Sequence, residues 1–121
     1  MGVVGRWVVG AGTVVAEASL HDVGADELSA FGRAGAKLVE LTDVHAHPFC
    51  RGKGWSRLAV EAAMEYADKR DWDVYLRVCV YGTVGKRVPR LTTTQLAAFY
   101  TSLGFKPVGP SLELQMVRRQ P

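Results

Sequence analysis

Ala46-His47-Pro48-Phe49-Cys50-Arg51-Gly52-Lys53-Gly54-Trp55-Ser56 lies between an apolar, strand-like run and a strongly helical one. A strand that empties through a glycine-punctuated turn into a helix leaves a row of free backbone N–H groups at the positive end of the helix dipole. That arrangement binds phosphate. Two phosphate-binding templates fail here. A P-loop needs Gly-Lys-Ser/Thr, and Gly52-Lys53-Gly54 does not supply it. Gly10-Ala11-Gly12 lacks the third glycine and the following helix of a dinucleotide fingerprint. The remaining template is Arg/Gln-x-x-Gly-x-Gly/Ala, met by Arg51-Gly52-Lys53-Gly54-Trp55-Ser56.

Outward from the turn, the pattern predicts alternating elements. Upstream, Lys37–Ala46 reads as a strand carrying Val39, Leu41 and Val44 with Glu40 and Asp43. Downstream, Gly54–Lys69 reads as a helix with Trp55, Leu58, Ala59, Ala62 and Tyr66 on one face. Val3–Val9 and Thr13–Leu20 form a hairpin around Gly10-Ala11-Gly12, and Asp22–Lys37 holds at most a short helix at Ala25–Phe31. Trp72–Tyr81 is a buried strand, Gly82–Arg90 a basic loop with Lys86, Arg87 and Arg90, and Thr92–Leu103 a second helix ended by Gly104. Leu112–Arg118 is a final strand. The order β-β-(α)-β-α-β-α-β predicts a mixed sheet with helices on both faces.

The 121 residues make one domain, with 48% hydrophobic and 22% charged residues and a net charge of +3. That charge suits an anionic ligand but does not by itself argue for nucleic acid. Cys50 and Cys79 lack metal-ligand spacing and read as reduced thiols of a cytoplasmic protein; no metal is expected. Trp7–Ala16 loosely imitates a signal sequence, but Gly10, Gly12 and the valines favour strands. Arg6 stands where N-myristoylation needs Ser or Thr, and no segment is long enough to span a membrane.

With this turn placed, the chain resembles the GCN5-related N-acetyltransferases. Ala46-His47-Pro48 is similar to the family's Val-His-Pro, and Phe99-Tyr100-Thr101-Ser102-Leu103-Gly104-Phe105 to its Phe/Leu-Tyr-x-x-x-Gly-Phe. The resemblance covers roughly Val39 to Gly109. It implies an α/β domain of the α+β type, with a mixed, mostly antiparallel sheet flanked by helices. It also implies an N-acetyltransferase using acetyl-CoA as co-substrate and an amine acceptor, by direct attack in a ternary complex. Gly52 and Gly54 then leave room for the pyrophosphate against the main chain. Trp55 and Ser56 complete the cradle, and Arg51, Lys53 and Arg57 raise the local positive potential. Main-chain groups of Val44, His45 and Ala46, where the strand leaves its neighbour, would meet the pantetheine arm and the oxyanion. Phe99 and Thr93 are further coenzyme residues, Thr93 replacing a common asparagine.

Tyr100 matches the family's general acid. Glu40, eleven positions before Arg51, matches the base of the histone-acetylating branch, with Asp43, His45 and His47 as competitors. The two helices that usually wall the acceptor site are absent or reduced to Asp22–Lys37. That suits a bulky acceptor or a homodimer that completes the site. Two alternatives stay open at this point: an inactive acyl-CoA-binding module, and transfer to a nucleic-acid-linked amine.

Overall fold

A computed structural model describes residues 3–10, 16–46, 54–78, 93–108 and 115–121. Among them, strands β1 (Val3–Val9) and β2 (Ala16–Asp22) are followed by helix α1 (Ala25–Phe31) and strand β3 (Leu38–Ala46). Helix α2 (Trp55–Lys69), strand β4 (Asp73–Arg77), helix α3 (Thr93–Thr101) and strands β5 (Lys106–Val108) and β6 (Gln115–Arg118) complete the order. The strands make one sheet in the order β1-β2-β3-β4-β6-β5. All neighbours run antiparallel except β3 and β4. This is the mixed α+β sheet that the pattern predicts.

Side-chain alternation explains the two layers. Ala18 and Leu20 of β2, Val39 and Leu41 of β3, and Val74 and Leu76 of β4 face a larger core, closed by α2 and by Leu96, Phe99 and Tyr100 of α3. Leu38, Tyr75 and Val117 face the other side, where Phe31 of α1 stacks on Tyr75 at 5.2 Å between ring centroids. Helices therefore cover both faces.

Three details differ from the sequence pattern. The buried face of α2 is Ala59, Val60, Ala63, Met64 and Ala67, while Leu58 stays 50% exposed. Small side chains on both partners explain the rotation: the alanines of α2 share the larger core with Ala18 of β2, which is fully buried. The second strand runs on past Leu20 to Asp22, while residues 13–15 lie outside the described residues. The short strand β5 was not foreseen; three residues with Pro107 at the centre carry no period-two signal, and it forms by pairing with β6 at the sheet edge. The basic stretch 82–90 and Cys50 and Cys79 lie outside the described residues.

The start of β4 is fixed by a buried ion pair. The Asp73 side chain is 1% exposed and accepts from Arg33 Nε at 2.7 Å, Arg33 Nη2 at 3.0 Å and the Gln120 amide at 2.9 Å. Burial alone pushes the Asp73 carboxyl up. The hydrogen bonds from Arg33 and Gln120, with the charges of Arg33 and Arg119, outweigh it and hold the group below its ordinary value. A lowered carboxylate pKa stabilises the fold above the unfolded value of about 3.9, and that contribution is lost as pH falls through the folded value. Asp73→Asn is expected to cost about 1–2 kcal/mol at pH 7. In urea titrations down a pH series, the gap to wild type should close below pH of about 3.9.

Candidate active site

The site begins where two strands separate. Parallel pairing of β3 with β4 joins Leu38 to Asp73, Val39 to Val74 and Glu40 to Tyr75. Beyond Glu40, β3 runs on to Ala46 paired only with β2 among the described residues. A register shift sets Glu17 opposite His45 but Ser19 opposite Thr42, so β3 carries one extra residue there. The bulge inverts the alternation. Val39 and Leu41 face the larger core, and Val44, three positions on from Leu41, packs against it as well. The main chain of Val44, His45 and Ala46 thus lies beyond the pairing with β4. Asp43, His45 and Ala46 are described by backbone only.

The other candidate element is the first turn of α2. Gly54 is its N-cap, at φ 79° and ψ 8°, with no side-chain cap and its carbonyl accepting the Leu58 N–H at 3.2 Å. The left-handed conformation explains glycine, since a Cβ there would meet no protein atom within 4 Å. Among the described residues the space beside Gly54 is open, and the first turn of α2 has no side-chain cap. Trp55, Ser56 and Arg57 follow in that turn, each partly buried. Arg51, Gly52, Lys53 and His47 lie outside the described residues, as does the side chain of Thr93.

The two candidate catalytic side chains sit on different faces. Tyr100 is 8% exposed, edge-to-face with Phe99 at 5.1 Å and with Phe105 at 5.8 Å, on the side of α2. Glu40 is half-buried on the side of α1, between His21 on β2 and Tyr75 on β4. Burial pushes the Glu40 carboxyl up and the nearby charge of Glu27 adds to this, against smaller downward pulls from Arg77 and His21. Glu27, from α1, is a neighbour that sequence reading missed; thirteen positions and a chain reversal separate it from Glu40. Arg57 was expected near phosphate, and its guanidinium reaches Glu61 Oε1 at 2.9 Å and Ser102 Oγ at 2.9 Å. Ser102 was likewise not anticipated. Among the described residues no group of three or more His, Cys, Asp or Glu is placed to hold a metal, and no helix is long and apolar enough to cross a membrane.

No family model and no curated protein sequence matches the chain. Solved structures do. The N-acetyltransferase YlbP of Bacillus subtilis, solved with coenzyme A, superposes with a TM-score of 0.63 at 17% identity, over 95% of this chain and 67% of that one. A histone acetyltransferase HPA2 and related acetyltransferase from Corynebacterium glutamicum gives 0.61 at 25% identity, over 91% and 60%. A GCN5-related N-acetyltransferase from Kribbella flavida gives 0.57 at 17% identity, over 90% and 62%. This chain has the GCN5-related N-acetyltransferase fold. It spans about 60 to 67% of the length of these acetyltransferases.

Within that fold, the environment of Glu40 makes a measurable statement. A carboxyl raised above its unfolded value stabilises the fold at low pH and loses that contribution as pH rises through the folded value. Glu40→Gln should therefore raise stability at pH 7 and leave it unchanged near pH 3 in denaturant titrations. Carboxyl-carbon NMR should place Glu40 above ordinary glutamate, and Glu27→Gln should bring it down.

Proposed function

We propose that the chain is an acetyl-CoA-dependent N-acetyltransferase acting on an amine by direct attack. The observations that carry this reading are the end of β3–β4 pairing after three residue pairs and a helix α2 that starts at a left-handed glycine. The edge of β3 beyond Glu40, which among the described residues pairs only with β2, suits the amide-bearing pantetheine arm, which can add to it as a short strand would. The capless start of α2 suits the pyrophosphate, with Arg51, Gly52, Lys53, Gly54, Trp55 and Ser56 forming its cradle. Phe99 and Thr93 supply further contacts from α3. The thioester then lies in the plane of the sheet, reachable from both faces.

The amine approaches from the face of Glu40. Its lone pair attacks the thioester carbonyl carbon while Glu40, directly or through water, takes the amine proton. Main-chain N–H groups of the parted β3 near Ala46 hold the oxyanion. As the tetrahedral intermediate collapses, the carbon–sulfur bond breaks and Tyr100 gives its proton to the departing thiolate from the other face. The products are the acetylated amine and free coenzyme A, and no metal takes part. A raised Glu40 pKa makes its carboxylate the stronger base. Two cysteines read from the sequence as reduced thiols support a cytoplasmic location on this reading, and the short segment with α1 between β2 and β3 suits a bulky acceptor or a second subunit.

Calorimetric titration with acetyl-CoA tests the site directly. Wild type should bind in the micromolar range typical of enzyme substrates, from about 1 μM upward. Gly54→Ala should cost about 1–2 kcal/mol of stability from the left-handed backbone alone. Gly54→Trp adds bulk where the phosphates sit and should abolish binding. With an amine found by screening for released thiol, Tyr100→Phe should lower kcat about a hundredfold. Binding without turnover on any amine would favour an idle acyl-CoA-binding module, and absence of binding would end the acetyltransferase reading.

A further inference from the structure

We propose that Arg57 is a positioning residue that serves the coenzyme through α3 rather than by touching its phosphates. The inference rests on the coenzyme reading above. Arg57 stands in the first turn of α2, beside the open space at Gly54, yet its guanidinium turns away along two directions. Nε meets Glu61 Oε1 one turn along the same helix at 2.9 Å, so the charge has a partner on its own element. Nη1 donates to Ser102 Oγ at 2.9 Å, just past the end of α3. The Arg57 guanidinium carbon also lies 5.8 Å from the centre of the Phe99 ring.

The end of α3 explains what that contact does. The last carbonyls of a helix lack partners within it. Here the Ser102 N–H goes to the Ala98 carbonyl, Leu103 and Phe105 N–H to Tyr100, and Gly104 N–H to Thr101. The Phe99 carbonyl is taken by the Ser102 hydroxyl, which donates to it at 2.6 Å. A serine hydroxyl has one proton, and Phe99 receives it, so Ser102 faces Arg57 as an acceptor. The chain of donors runs from Arg57 to Ser102 to the Phe99 carbonyl. It sets a cation at the negative end of the helix dipole and ties the turn bearing Phe99 and Tyr100 to the start of α2.

The arginine is 43% exposed and Glu61 49%, so the tie adds little to global stability. Its effect is on where α3 stands relative to the cradle. Tyr100, beside Phe99 on α3, is the group assigned to the thiol end, whereas the pyrophosphate belongs to the turn that enters α2. Arg57 therefore affects the two halves of the coenzyme unequally.

Calorimetry with two probes reads this out: coenzyme A, and 3′-phospho-ADP, which carries the nucleotide and pyrophosphate without the pantetheine arm. Arg57→Gln should bind coenzyme A roughly three- to tenfold more weakly than wild type, with 3′-phospho-ADP affinity and thermal melting little changed. Ser102→Ala, at the other end of the tie, should give the same split, and the double variant should be no weaker than either single one. Arg57→Lys, which keeps a donor for Ser102, should recover most of the loss. Equal weakening of both probes by Arg57→Gln would make Arg57 a direct phosphate contact and overturn the proposal. So would no change in either. Wild-type protein that binds neither probe would instead remove the coenzyme reading, and this inference with it.

Discussion

The parting of β3 from β4 is the constraint on which the rest of the molecule depends. β3 is an interior strand, hydrogen-bonded to β2 over most of its length, and yet it leaves β4 after Glu40. Backbone N–H and C=O groups inside a sheet need partners, so this separation is costly unless something else takes them. Two features hold it open. The extra residue between Thr42 and His45 bends β3 while it stays on β2. On the other side, β4 is paired to β6 from Val74 to Arg77 and follows that strand instead. The gap is thus a consequence of each strand keeping its better-paired neighbour.

A gap in the plane of a sheet joins the two faces that the sheet otherwise separates. That is why Glu40 and Tyr100 can belong to one reaction while sitting with different helices. Glu40 shares its face with α1, and Tyr100 is packed among Phe99 and Phe105 in the core under α2. On the proposed reading, base and acid need not meet: the amine enters from one side, and the thiolate is protonated from the other. A flat, fully paired sheet would keep these two side chains apart.

Much of this was legible in the sequence, and for identifiable reasons. The β-branched runs and the amphipathic stretch after Gly54 are local signals, and they returned the elements; the left-handed conformation of Gly54 is visible only in the structure. Glu40 and Tyr100 become candidates through the resemblance to family motifs, each carried on a single element. What was not legible depends on non-local packing. The buried face of α2 was set against Ala18 of β2, which lies well upstream in the chain. The bulge in β3 follows from its pairing with β2, with no glycine or proline between Leu41 and Ala46 to announce it. Glu27 and Ser102 carry no motif of their own; each matters because a chain reversal brings it to Glu40 or to Arg57.

The closed end of the gap is as deliberate a feature as the open one. Where β3 and β4 are still paired, the Asp73 N–H donates to the Lys37 carbonyl at 2.9 Å, and the Asp73 carboxylate gathers Arg33, the Gln120 amide and Arg119. These partners come from the segment before β3 and from the residues after β6, so three stretches of chain converge on one buried group. Unpaired, such a carboxylate would be strongly destabilising; paired, it fixes where β4 starts. Two strands held at one end and released at the other form a wedge with a defined angle. Among the described residues the β3–β4 ladder can then end after three pairs without the sheet unravelling, because its closed end is held by Asp73.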